Sequence, residues 1–291
     1  LAEASTYGNV VDLATTGDTS GLTWSIASGN EDGDGDSTNA FAIASGTGII
    51  TVADAGDIDD ETAADAEFDL VISVTDGTTA DTETITITIT DTAPTVTDTS
   101  ASIAETASDD AAVVTVSTTG DTTGLTWSIS SGNTDSIFAI AAATGAITVD
   151  SNTNLDYESD ASYDLVVSAT DGVTADTETI TITITDVAPT VTDTSGSVAE
   201  NAANAAAVVT VSTSGDTSGL TWSISSGNTD SIFAIAAATG AITVGSNTNL
   251  DYDSDSSYDL VVSATDGTTA DTETITISIT DINDQTPAVT V

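Results

Sequence analysis

The side chains able to do chemistry in this 291-residue chain are nearly all carboxylates: it carries 47 Asp and Glu, and no Lys, Arg, His or Cys. Without imidazole, thiol or amine there is no Ser-His-Asp or Cys-His pair, no Schiff base and no nitrogen or sulfur zinc site. Carboxylate-pair hydrolysis of the glycosidase or aspartic-protease kind is the catalytic route that survives. At this acid density such pairs arise by chance everywhere, so the chain reads as a non-enzyme. A formal charge of −47 repels itself unless salt screens it or bound cations remove it, so metal ions or brine are expected partners. Nucleic acid is excluded, because phosphate binding needs Lys and Arg, and anionic membrane surfaces are disfavoured for the same reason.

The elements that must position these acids form a repeat. Trp24, Trp127 and Trp222 each sit in "LTWSI", and Asp76, Asp171 and Asp266 each sit in "TDG", with 95 residues from one Asp to the next. Such a spacing is a comfortable domain size, and units stacked in tandem make a rod. The sequence predicts repeat 1 over 1–93, repeat 2 over 94–188, repeat 3 over 189–286 and a tail over 287–291. Repeats 2 and 3 share "SGNTDSIFAIAAATGAITV" without a difference, whereas repeat 1 has the insertion "NEDGDGDSTNA".

Within each repeat the hydrophobic period is two. Ile85, Ile87 and Ile89 alternate with Thr84, Thr86, Thr88 and Thr90, as a half-buried strand requires. Phe68, Leu70, Ile72 and Val74 alternate likewise, as do their counterparts from Tyr163 and Tyr258. Gly145 and Gly240 in "TGAITV" mark a tight turn into a further strand. No segment sustains a helical period, so each unit reads as an all-β sandwich. The Thr-rich outer faces suit exposed strands through β-branching, with O-linked sugars as an alternative use. No apolar run approaches the ~18 residues of a membrane span, and no signal peptide is read, so an exported protein would be in its mature form.

"IFAIAAATGAITVDSNTNLDYESDASYDLVVSATDG", followed by a Thr-Ile strand and "DVAP", resembles the second half of a cadherin repeat. The lone Glu in "IAET" and "VAEN" resembles the base glutamate of that family. The resemblance covers all three units and is to tandem repeats of a bacterial or archaeal surface protein. It implies three cadherin-like, Ig-like Greek-key β-sandwich domains in an elongated rod, with Ca²⁺ held between consecutive domains. Carboxylate oxygens from separate loops suit that hard cation. By resemblance, Glu3, Asp59, Glu61 and Asp91 of repeat 1 face Asp171 of repeat 2. Glu105, Asp156, Glu158 and Asp186 likewise face Asp266. Glu200, Asp251, Asp253, Asp281 and Asp284 form a third cluster.

The linkers "DTAP" and "DVAP" are three residues shorter than the family form, and its Asp-x-Asp is reduced to Asp121 and Asp216. Each inner junction is therefore expected to hold fewer ions than is typical. "DGDGDS" from Asp32 starts like an EF-hand loop, but Ser37 stands at position six and Ile43 at position twelve, so an acidic loop fits better. The ends are complementary: only Leu1 and Ala2 precede Glu3, so repeat 1 is short of most of a first strand, while Val289 stands in the place of Val96 and Val191. The expected function is a calcium-stabilised extracellular filament or stalk subunit. It assembles with other copies head-to-tail by strand addition, or continues into further repeats of a longer chain. A cell-surface adhesin binding a protein or glycan is the alternative.

Overall fold

The structure, a computed structural model, describes residues 1–2, 8–17, 19–32, 35–58 and 67–283. Among them every long element is a β-strand, and no helix is long and apolar enough to cross a membrane.

Strong alternation of β-branched and aromatic residues makes the two central strands of each repeat. In repeat 2, Ser162–Thr170 pairs antiparallel with Ala175–Thr185 along its whole length, so Tyr163, Leu165, Val167 and Ala169 point one way and are buried. Thr126–Ser131 flanks this pair on one side; Ser100–Ala104 flanks it on the other, parallel to Ala175–Thr185. The facing sheet is Phe138–Ile140, Ala146–Val149 and Ala112–Thr115. Repeat 3 reproduces this topology. Repeat 1 has the sheets Thr23–Ser28, Glu67–Thr75, Ala80–Thr88 and Asn9–Asp12, Ile49–Val52, Phe41–Ile43, with a single parallel bridge from Ala2 to Thr90.

The cores form three separate clusters, each confined to one repeat. Trp24, Trp127 and Trp222 lie inside them, which fixes these indoles as packing groups. Phe138 meets Tyr163 edge to face at 5.5 Å, an arrangement worth about 1 kcal/mol beyond its burial, and Phe233 repeats it on Tyr258. The bulge after Ile129 ends on Gly132 at φ +84°; a Cβ there would sit 1.9 Å from the Asp164 carbonyl oxygen, so the close approach of two strands demands glycine.

The insertion in repeat 1 leaves the frame intact. Asn133 brackets Phe138 with two hydrogen bonds, from its Nδ2 to the Phe138 carbonyl at 2.6 Å and from the Phe138 N–H to its Oδ1 at 3.0 Å. Asn30 makes the same bracket to Phe41 across the longer loop. Asp32 turns its carboxylate onto its own loop, accepting the N–H of Gly35 at 2.7 Å and of Ser37 at 2.9 Å.

Candidate metal centre

Strand ends deliver the acids to the junction between repeats 2 and 3. Glu105 follows the strand Ser100–Ala104, and its N–H continues the parallel pairing onto the Thr185 carbonyl. Its side chain is buried, with Oε2 accepting the Tyr157 N–H at 2.8 Å and Oε1 accepting the Val187 N–H at 2.7 Å. One carboxylate thereby pins the acidic loop at 155–158 and the linker at 186–188 to the end of the sandwich. Asp156 shapes that loop, its Oδ1 accepting the Glu158 N–H and its Oδ2 the Ser159 hydroxyl. Glu158 itself stays exposed.

Repeat 3 contributes from the opposite side. Asp266 Oδ1 accepts the N–H groups of Thr268 at 2.8 Å and Thr269 at 2.7 Å. Asp216 Oδ1 accepts the Ser218 N–H and hydroxyl, each at 3.0 Å. Both aspartates are buried.

Two groups of oxygens result: one from Glu105, Glu158 and Asp216, the other from Glu158, Asp186 and Asp266, with the atoms of each group within 4.8 Å of one another. Glu158 belongs to both. Two ligand oxygens each ~2.4 Å from one calcium stand at most about 4.8 Å apart, so the separations fit a shared ion. The donor set is oxygen alone, which suits calcium and excludes a thiolate or imidazole metal site.

Charge in this cluster is uncompensated. The buried pair Glu105 and Asp216, with oxygens within 4.8 Å, repels by at least about 3.5 kcal/mol at an effective dielectric of 20. No Lys, Arg or His exists to offset it. Desolvation pushes the Asp186 carboxyl above its ordinary value, helped by the charges of Asp266 and Asp216 and opposed by the Thr269 hydroxyl. Desolvation also raises Glu158, against a hydrogen bond with the Thr268 side chain and with Glu105 and Asp266 adding repulsion. Burial pushes Asp266 up as well, but the Thr269 and Thr268 N–H groups outweigh it and hold that carboxyl low. Asp186 Oδ1 is buried with no hydrogen-bond partner, the condition of an oxygen awaiting a cation.

The junction between repeats 1 and 2 shows the same orphaned oxygens: both of Asp91 and the Oδ2 of Asp121. Asp171 there is buried, with Oδ1 accepting the Val173 and Thr174 N–H groups. Glu3, Asp59 and Glu61 lie outside the described residues. At the far end, Glu200 accepts the Tyr252 and Ile282 N–H groups, each at 2.8 Å. Asp251 Oδ1 accepts the Asp253 N–H at 3.0 Å, and Asp281 Oδ1 accepts the Asn283 N–H at 2.5 Å; Asp284 lies outside the described residues. Asp156 enters neither group of oxygens, while Asp121 and Asp216, read from sequence only as remnants of Asp-x-Asp, occupy buried positions at the two junctions. Their signal is the recurring Gly-Asp-Thr turn, in which the following Ser or Thr hydroxyl fixes the carboxylate.

The family model described as the Cadherin domain matches residues 99–185 and 194–280, more than half of the chain. The chain belongs to the cadherin family. Human protocadherin Fat 1 is 46% identical over 71 residues, spanning 23% of this cadherin and 2% of that protein. The mouse cadherin EGF LAG seven-pass G-type receptor 2 is 32% identical over 173 residues, spanning 56% of this chain and 6% of that one. This cadherin therefore spans only a small fraction of these relatives' length. Among solved structures, Drosophila N-cadherin EC1-3 is 18% identical with a TM-score of 0.42, with 97% of each chain covered. Mouse cadherin-23 EC22-24 is 20% identical with a TM-score of 0.34, covering 97% of this chain and 95% of that one. Repeats 2 and 3, which the family model matches, are cadherin domains, modules of adhesion-type proteins.

Proposed function

We propose that this cadherin is a calcium-stabilised extracellular structural protein, a filament or stalk subunit whose copies join head-to-tail. The observation that carries the reading is the junction between repeats 2 and 3. Five carboxylates from the two repeats converge there, with a buried unpartnered oxygen, in a polypeptide with no basic side chain. Glu105, Glu158, Asp186, Asp216 and Asp266 hold the ion at this junction; Asp91, Asp121 and Asp171 hold its counterpart between repeats 1 and 2. The bound cation removes the repulsion and fixes one repeat against the next, giving a stiff rod.

An excess of acid without base accords with a bacterial or archaeal surface bathed in salt, where screening makes such a charge tolerable. The adhesin reading is favoured by family membership. Against it, all three Trp are buried and cannot form a contact patch, although Tyr252 is exposed.

Calorimetric titration of the intact chain with calcium tests the reading. Saturable binding is expected at pH 7, weakening as pH falls through the raised pKa values of Glu158 and Asp186, because protons then compete with the ion for the same oxygens. Absence of binding at millimolar calcium would contradict it.

A further inference from the structure

The linker between repeats 2 and 3, residues 186–191, is fastened to both. On the side of repeat 2, Glu105 Oε1 accepts the Val187 N–H at 2.7 Å. On the side of repeat 3, Asp271 Oδ2 accepts the Val191 N–H at 2.8 Å, and the strand Thr190–Val191 pairs antiparallel with Thr213–Ser214. Between these ties, Pro189 fixes its own φ and favours an extended Ala188. The Ala188 carbonyl oxygen lies so close to Gly215 that a Cβ there would sit 2.5 Å from it. The linker between repeats 1 and 2 repeats the pattern: the Val96 N–H donates to Asp176 Oδ2 at 2.8 Å, Thr95–Val96 pairs with Thr118–Thr119, and a Cβ on Gly120 would sit 2.5 Å from the Ala93 carbonyl oxygen.

Asp271 is an unusual group for its place. Its register sets it opposite Ala264, which is fully buried, so its carboxylate stands on the side of the sheet that carries the core. Asp176 stands likewise opposite Ala169. A carboxylate at a core margin is costly unless hydrogen-bonded, and the linker N–H supplies that bond. Val191 in turn is 4% exposed and packs in the core of repeat 3. Asp271 enters neither group of oxygens at the junction, so it is no ligand. It bears on two residues that are. Asp186 opens the linker, and Asp216 directly follows the Gly215 on which the linker lies. The path of the linker therefore sets how far Asp186 stands from Asp266, and Asp216 from Glu105 and Glu158.

We propose that Asp271 is a positioning residue for calcium: its bond to the Val191 N–H holds the linker on repeat 3 before the ion arrives, and so keeps Asp186 and Asp216 within reach of the other ligands. Asp176 serves Asp91 and Asp121 in the same way between repeats 1 and 2. An ion that meets an assembled site does not have to order the linker, and its apparent affinity scales with the fraction of molecules in which the site is assembled. The inference rests on the calcium reading of the junctions.

A calcium titration of the intact chain followed by amide NMR tests it, because the two junctions report separately. The N–H groups of Thr268 and Thr269, bonded to Asp266, follow the junction between repeats 2 and 3; those of Val173 and Thr174, bonded to Asp171, follow the junction between repeats 1 and 2. Asp271→Ala should weaken calcium binding between repeats 2 and 3 about tenfold and leave the other junction unchanged. Asp176→Ala should do the reverse. Asp271→Asn keeps an oxygen to accept the Val191 N–H and should recover most of the affinity, although the charge is gone. In the metal-free parent the Val191 amide should exchange its hydrogen slowly, since the bond precedes the ion; this measurement needs no variant and stands even where Asp271→Ala does not fold. An Asp271→Ala chain that melts lower yet binds calcium as the parent does would make Asp271 a structural tie alone. An Asn variant as weak as the Ala variant would assign the effect to charge, and a Val191 amide that exchanges freely without calcium would show that the linker is not held beforehand. Each of these results overturns the proposal and leaves the calcium reading in place, whereas a parent that binds no calcium overturns both.

Discussion

Withdrawing calcium at fixed ionic strength should lower the melting midpoint of the intact chain by roughly 10–20 °C. An ion present at 100 times its dissociation constant stabilises the folded state by about 2.7 kcal/mol, and for a domain of 60–100 residues each kcal/mol moves the midpoint by about 4–8 °C. Fixed ionic strength matters because a charge of −47 is itself screened by salt, and a chelator added without compensation would change two variables together. The effect should be specific. Magnesium, which demands tight octahedral geometry and gives up water reluctantly, should restore less of the stability than calcium. An unchanged midpoint on chelation would remove the stabilising role given to the ion.

Replacing Glu158 should have opposite effects with and without calcium. Its oxygens belong to both groups at the second junction, so Glu158→Gln should weaken calcium binding there by about 10–100-fold, as loss of even an outer metal-supporting group does. In the metal-free protein the sign reverses. The folded-state pKa of Glu158 lies above its ordinary value, chiefly through desolvation. Below the ordinary value both states hold the proton and nothing is lost; as pH climbs from the ordinary value to the raised folded-state value the penalty builds, and above the latter it is complete. A neutral Gln removes it, so metal-free Glu158→Gln should melt no lower than the parent. Glu105→Gln behaves differently. An amide cannot accept at both ends, so it leaves the N–H of Tyr157 or Val187 facing a donor at a cost of about 1–3 kcal/mol, which in chelator offsets the relieved repulsion with Asp216 and in calcium adds to the loss of a ligand. Melting curves of the two variants in calcium and in chelator separate a ligand that also ties the fold together from one that does not. Identical behaviour would show that Glu158 holds no ion.

The strands were legible because their signal is local. Phe68, Leu70, Ile72 and Val74 announce one buried face by spacing alone, and Gly145 at φ +68° occupies the turn that "TGAITV" predicts. The all-β sandwich class follows from such patterns. The junction was legible only in part, because its geometry is long-range. Glu105 lies 52 residues from Tyr157 and 82 from Val187, yet bonds both, and no periodicity encodes that. Asp216 reaches the cluster because a Gly-Asp-Thr turn in the next repeat aims it back across the junction, whereas Asp156, a ligand by resemblance, accepts hydrogen bonds from its own loop and lies in neither group of oxygens. Nothing in the local pattern marks Asp176 and Asp271, which sit in Thr-rich strands; only the folded chain shows them anchoring the linker strands at Val96 and Val191.

Anomalous X-ray scattering from crystals grown in calcium tests the central claim most directly. Peaks should appear between repeats 2 and 3, enclosed by the oxygens of Glu105, Glu158, Asp186, Asp216 and Asp266, and vanish after soaking in chelator. The same five carboxylates turned outward into ordered water, with no anomalous peak between the repeats, would contradict the account.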